Sequence, residues 1–319
     1  MVTNLLGSNQ ALDNSVNTII SEFLLLNDYP TVFTSSARHV PLMAHDGLSK
    51  VINNYGRMTA YSVADGADIA QAQALADTST TITPSEVAVQ TWLPGSTMRR
   101  AADPDLLGRT STILHNALEL KIDQDGGAQL SSFVPIIGVA GVVQGPGDYL
   151  AASTRLAIGD SRSNPEPPPK PWFTIDHPYK LAVTAGRMIP ISDTGVGTTV
   201  YNHTVAGNRF SVGPAASGGL QNNLLTQGWM ALKELFGIPV KASANLIVNS
   251  SDDVSGASFS QEGLLFCEEV APRIDPDTSD KSYRGAIELN GWTSYGWSLY
   301  RPSNYGVEIL GDASTPVAS

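Results

Sequence analysis

A serine, a histidine and a carboxylate are the residue types with which this chain could build a nucleophilic site. Gly159-Asp160-Ser161 places a serine in a glycine turn, and a serine nucleophile needs a histidine base that a carboxylate orients. Asp176-His177 offers both partners side by side. Adjacent strand residues point to opposite faces, however, so the two cannot easily share the required hydrogen bond, and Ser161 lies just before a run of prolines. The segment reads as a turn.

Metal and nucleotide chemistry are less well supported. His39, His45, His115, His177 and His203 have neither the i, i+4 helical spacing nor the cysteine company that zinc sites use. Asp275-x-Asp277-x-x-Asp280 and Asp123-x-Asp125-Gly126 resemble calcium loops only in their first positions, lacking the spacing that ends in a bidentate glutamate, and read as solvated loops and caps. Gly145-Pro146-Gly147 lacks the third glycine of a dinucleotide turn, and no G-x-x-x-x-G-K-[ST] occurs. Trp292, Tyr295, Trp297, Tyr300 and Tyr305 could stack bases or sugars, but their spacing on strands fits core or interface. No catalytic, cofactor-binding or metal-ligating residue is expected.

Composition points away from several other classes. The single cysteine, Cys267, excludes an intrachain disulfide and reads as a buried thiol, in keeping with a reducing cytosol. The opening MVTNLLGSNQALDNSV lacks a basic segment leading into an apolar run, and no stretch approaches the about 20 apolar residues that span a bilayer, so neither secretion by that route nor membrane insertion is expected. A formal net charge of -11 disfavours tight binding to phosphate backbones and leaves only loose, counterion-mediated contact with DNA. Charged residues make up 15% of the chain against about 25% in ordinary globular proteins, which fits surface destined for burial on other subunits.

The elements that would have to position any site follow a mixed order. After a polar arm, Met1 to Gln10, the spacing predicts an amphipathic helix over Asp13 to Leu26. Arg57–Val63 and Glu86–Leu93 alternate as strands and read as one long hairpin, with Ala64 to Ser85 between them as an extended loop lying over a neighbour. Asp103-Pro104-Asp105 marks a helix start. Its stripe is Leu106, Leu107, Thr110, Ile113, Leu114, Ala117, Leu118 and Lys121, and Gly126-Gly127 stops it. Asp148 caps a helix through about Ile158, and Asn164 to Pro171 forms a stiff connector into a buried strand at Trp172–Ile175. Helices over Leu220 to Phe236 and Gln261 to Glu269, a strand over Val240 to Val248, and strands within Tyr283 to Leu310 complete an α+β pattern without internal repeats.

Taken in this order, the chain resembles the Hong Kong 97-type capsid fold of tailed bacteriophages over nearly its whole length. The hairpin at about Tyr55 to Gly95 resembles that family's E-loop, and Met98-Arg99-Arg100-Ala101 leads into a helix resembling its spine helix. Pro167 to Tyr179 is similar to the strand near the start of the axial A-domain, and Gly237-Ile238-Pro239-Val240 with Tyr295 to Ile309 resembles the return into the peripheral sheet. The resemblance implies a division into an N-terminal arm with a short helix (1–54), an E-loop hairpin (55–97), a P-domain with the spine helix (98–133), an A-domain (134–280) and P-domain return strands with the C-terminus (281–319). It further implies a major capsid protein that self-assembles into hexamers and pentamers of an icosahedral shell around viral double-stranded DNA. Expected partners are further copies of itself, a separate scaffolding protein, a portal and a decoration protein, with assembly in the host cytoplasm and residence in the virion capsid. With no lysine between Lys50 and Lys121, the family's covalent lysine–asparagine weld is not expected in the loop. An encapsulin-like bacterial compartment is the alternative of the same fold, and a serine esterase using Ser161 the alternative of another class.

Overall fold

A computed structural model describes residues 31–42, 47–56, 58–66, 68, 73–75, 77–94, 106–159, 166–188, 203–205, 208–210, 233–277 and 287–314. Two sheets organise these residues. The first has four strands in the order β1 (Arg38–His39), β12 (Leu264–Asp277), β13 (Ile287–Leu299) and β4 (Ser85–Leu93). The second has six, in the order β5 (Ile136–Ile137), β14 (Gly306–Asp312), β11 (Asp253–Ser260), β6 (Trp172–Asp176), β10 (Ile238–Ala242) and β9 (Glu234–Leu235). Two antiparallel pairs stand outside the sheets: β2 (Lys50–Tyr55) with β3 (Asp77–Ile82), and β7 (His203–Val205) with β8 (Asn208–Phe210).

Alternation builds the first sheet. Ile287, Leu289, Gly291 and Thr293 of β13 face inward, while Glu288, Asn290 and Trp292 are less buried. Against that inner face lies α1 (Leu106–Ala128), whose Leu114 and Leu118 pack with Leu93, Ile274, Ile287 and Leu289. The helix buries Ser111, Leu114, His115, Leu118 and Ile122, whereas Ile113 is 68% exposed. The buried face is therefore rotated away from the stripe expected through Ile113, Ala117 and Lys121.

Gly126-Gly127 does not end α1, which runs to Ala128 and continues as a 3-10 turn over Gln129–Ser132. The glycines serve packing instead. A Cβ on Gly126 would stand 2.9 Å from both Phe33 Cβ and a Trp297 ring carbon, and one on Gly127 3.1 Å from Leu246. Gly126→Val is expected to lower unfolding stability by about 1–3 kcal/mol, as overpacking does. Denaturant titration reads this directly, and a variant as stable as the parent would refute the close packing.

The second sheet carries two helices, α2 (Pro146–Ile158) and α3 (Pro178–Met188). Tyr149 and Ala152 of α2 join Leu181 and Ala185 of α3 over Leu235, Val307 and Ile309 of the sheet. Gly145, with extended backbone, is the N-cap of α2; Asp148 sits one turn inside and accepts from the Gly145 N–H at 2.9 Å. A shared core joins the two sheets through Phe33, Phe133, Ile175, Phe259, Phe266 and Tyr295. Phe133 stacks on Phe259 with centroids 5.6 Å apart.

Several sequence expectations need correction. Glu86–Leu93 does form a strand, but its partner is β13, in register from Leu93↔Ile287 to Ser85↔Tyr295, and not Arg57–Val63. Residues 58–63 belong to neither helix nor strand. The hairpin pairs Lys50↔Ile82 through Tyr55↔Asp77 instead, so part of the expected loop Ala64–Ser85 is strand. Gln261–Glu269 is a 3-10 turn followed by β12: Leu264, Leu265, Phe266 and Cys267 are all buried between β1 and β13, an arrangement that one apolar helix face would not produce. Glu234–Leu235 is β9, not a helix end, because Phe236 (φ 52°) and Gly237 (φ 80°) turn the chain tightly back into β10. The strand expected over Val240 to Val248 ends at Ala242. By sheet membership, β12 lies with β4 and β13, and β14 lies in the six-stranded sheet. The arm, the helix over Asp13 to Leu26 and the Asp103 cap lie outside the described residues.

Candidate functional site

Asp176 and His177 are buried at the end of β6, but they do not form a catalytic pair. Asp176 Oδ1 accepts from the His177 backbone N–H at 2.8 Å and faces Lys180 Nζ at 2.9 Å, while Oδ2 accepts from the Tyr149 hydroxyl at 2.8 Å. The His177 ring uses Nδ1 to accept the Tyr179 backbone N–H at 3.2 Å, and burial lowers its pKa. The carboxylate is committed to an ammonium and a phenol and does not orient the imidazole. Ser161 lies outside the described residues.

The acidic runs have structural employment. Asp123 is fully buried on α1 and accepts from the backbone N–H groups of Val32 and Phe33 at 3.0 and 3.1 Å and from Asn245 Nδ2 at 2.7 Å. It pins the segment entering the fold to the spine of the first sheet, and the reading of Asp123 as a solvated loop residue is wrong. Asp125 accepts from the Tyr295 hydroxyl at 2.7 Å. Asp275 accepts from Trp292 Nε1, and the Arg273 guanidinium lies 3.7 Å from the centre of the Trp292 ring. Trp297 Nε1 donates to the Ile122 carbonyl at 3.1 Å, so Tyr295 and Trp297 tie β13 to α1, whereas Trp292 ties it to β12. Among the described residues, no three His, Cys, Asp or Glu side chains gather as metal ligands would.

Among the described residues, the hairpin gathers several exposed apolar side chains. Leu48, Val51, Tyr55, Met58, Tyr61 and Leu75, on and around β2–β3, are each more than half exposed. Beyond the strands, residues 58–66 join no ladder, and among the described residues a clasp crosses the loop: Thr59 N–H donates to Gln73 Oε1 at 2.8 Å and Gln73 Nε2 donates to the Thr59 carbonyl at 2.6 Å. At its base Ile82 is buried with Val40, Leu265 and Cys267. A ribbon rooted in the core with its described apolar side chains exposed leaves apolar surface uncovered. The sequence pattern points to a hairpin here but places its first strand seven residues too late in the chain (50 against 57).

Several solved structures share this fold. The acid-stable capsid of Helicobacter pylori bacteriophage KHP30 matches with a TM-score of 0.63 at 12% identity, covering 90% of this chain and 92% of that one. Mycobacterium phage Che8 matches with a TM-score of 0.58 at 14% identity, over 90% and 93%. An encapsulin complex from Synechococcus elongatus matches with a TM-score of 0.56 at 9% identity, over 92% and 91%. The chain has the Hong Kong 97-type capsid fold. No protein-family model matches the sequence, and no curated protein does.

Buried ionisable groups make this capsid fold sensitive to alkali. Burial, and then the Asp176 carboxylate, push the Tyr149 phenol well above its usual range; burial, and then the hydrogen bond to Asp125, do the same for Tyr295. Both phenols stay protonated when folded but ionise near their ordinary value of 10.0 when unfolded. Their contribution is complete below that pH and is lost as the pH rises above it. The denaturant midpoint is therefore expected to fall steadily from about pH 10 upward. A midpoint unchanged to about pH 11 would contradict it. Burial also raises the carboxyls of Glu308 and Glu119, whose contribution is present below 4.5 and lost as the pH rises.

Proposed function

We propose that this chain is a major capsid protein, the subunit of an icosahedral shell enclosing the double-stranded DNA of a tailed virus. The observation that carries the reading is the exposed apolar hairpin on a fold that phage capsid structures share. An arm that cannot bury its own apolar residues gains stability by covering a second copy, and interlocked obligate contacts of this kind bury more than about 2,000 Å2. In this reading the four-stranded sheet with α1 is the peripheral domain, the six-stranded sheet with α2 and α3 is the axial domain, and six or five axial domains close each capsomer. A separate scaffolding protein and a portal are the accompanying partners, with or without a decoration protein, and assembly takes place in the host cytoplasm. The net charge of -11 suits a wall that DNA must slide past. The role is structural and not enzymatic.

The likeness to an encapsulin supports a second reading, a bacterial compartment that encloses protein. Expression alone and with genomic neighbours, followed by gel filtration and electron microscopy, separates the cases. Closed shells that fill with DNA when the neighbouring genes are present are expected. Shells that fill only with protein favour the compartment, and a monomer under every condition overturns both.

A further inference from the structure

The hairpin is gripped at the loop end of its ladder, opposite the buried Ile82, by one side chain from the far end of the chain. Arg301 follows β13 with φ of 47°, in the left-handed region where few non-glycine residues settle. Its carbonyl accepts the N–H groups of Asn304 and Tyr305, each at 2.9 Å, which closes a tight turn. From that turn the guanidinium reaches three groups: Nη2 donates to the Tyr55 carbonyl at 2.6 Å, Nε to Asn54 Oδ1, and Nη1 to Glu166 Oε1. The rings of Tyr300 and Tyr305, edge to face with centroids 5.4 Å apart, have the guanidinium 5.9 and 5.7 Å from their centres. Glu166 is itself fixed, its N–H donating to the Ile158 carbonyl at 3.1 Å.

Asn54 and Tyr55 are the last residues of β2, and among the described residues β2 pairs with β3 alone. A two-stranded ribbon is soft, and its apolar attachment, the buried Ile82 of β3 with the partly buried Ile52 of β2 beside it, leaves the loop end of the ladder free to swing. There the guanidinium, with a longer contact from the Tyr300 hydroxyl to Asn54 at 3.4 Å, supplies a polar hold, and the planar fork fixes direction as well as distance. We propose that Arg301 is a latch that sets the angle at which the hairpin leaves the body of the subunit, with Glu166 as its anchor. The same subunit must reach neighbours at two slightly different angles in six- and five-fold rings, so a polar latch that can reseat is a means of adjusting the arm without disturbing the core. This last step rests on the shell reading; the latch itself does not.

The test is hydrogen exchange on the isolated subunit, comparing the parent with Arg301→Asn and Arg301→Lys. Asparagine tolerates the left-handed backbone, so the turn survives while the fork is lost; lysine keeps the charge without the fork. Exchange in residues 50–55 and 77–82 is expected to quicken by about tenfold or more in Arg301→Asn, and partly in Arg301→Lys, with β11 and β12 unchanged. Unchanged hairpin exchange overturns the latch, and so does equal acceleration in β11 and β12, which would make Arg301 a general stabiliser. Should Arg301→Asn not fold, Asn54→Ala, on the hairpin itself, removes one partner and must give the same local quickening. Wild-type protein that never assembles would count against the shell reading and leave this result standing.

Discussion

Lys180→Met is expected to destabilise the protein by about 3–5 kcal/mol, the cost of leaving one member of a buried ion pair without its partner. Both side chains of the Asp176–Lys180 pair are fully buried. The ammonium also donates to the carbonyls of Ile309 at 2.7 Å and Val254 at 3.2 Å, so it bridges β14 and β11 from α3. Removing it strands the Asp176 carboxylate beneath α2 with only the Tyr149 hydroxyl and one backbone N–H for company. Nor can the carboxylate retreat, because it packs on Gly256, where even a Cβ would lie 2.5 Å from it. A loss of this size is a large part of the 5–15 kcal/mol that holds a domain together, so much of the variant should be insoluble. A Lys180→Met, Asp176→Leu double variant, with no charge left to strand, should recover part of the loss. Urea titration reads both; a single variant within about 1 kcal/mol of the parent would show that water or a neighbouring group solvates the carboxylate.

Much of the architecture could be read from short-range patterns, and the failures have a common cause. The alternation of Glu86–Leu93 and the apolar run of Trp172–Ile175 identify β4 and β6, because each face of those strands meets one kind of environment. Helix α1 was legible from its apolar spacing. What the local pattern cannot carry is the partner. Leu264 to Cys267 looks like one turn of an apolar helix, and becomes strand because His39 lies beside Phe266 and Trp297 lies across from it, residues far away in the chain. Gly126-Gly127 looks like a helix stop because the ring of Trp297 that needs the bare backbone of Gly126 lies 171 residues further on (297 minus 126). The functional surface divides in the same way. An arm poor in core-forming residues announces itself by composition. Arg301 does not, since nothing near it in sequence hints at Asn54, Tyr55 or Glu166.

Replacing residues 58–75 by a short glycine-serine turn is expected to abolish closed shells while leaving the subunit folded. The excised stretch bears Met58, Tyr61, Val63 and Leu75, all exposed, and its described residues pack into none of the buried cores. Cutting Ala64–Ser85 instead would be the wrong experiment: it removes β3 and with it Ile82, 1% exposed against Val40, Leu265 and Cys267, and would damage the fold and the arm together. With β2 and β3 retained, the Lys50↔Ile82 to Tyr55↔Asp77 ladder and the Arg301 grip remain, so circular dichroism and the melting temperature should match the parent. Assembly should not. The described apolar residues of this stretch are exposed on the subunit, and without them each copy is expected to lose contact area across the whole lattice, where every subunit repeats the deficit. Sedimentation and electron microscopy should show monomers or open rings in place of shells. Normal shells from this folded variant would mean that the hairpin is ornament and that the lattice is held by other faces, of which the exposed Ile113 on α1 and Ile136 at the sheet edge would be the first to test.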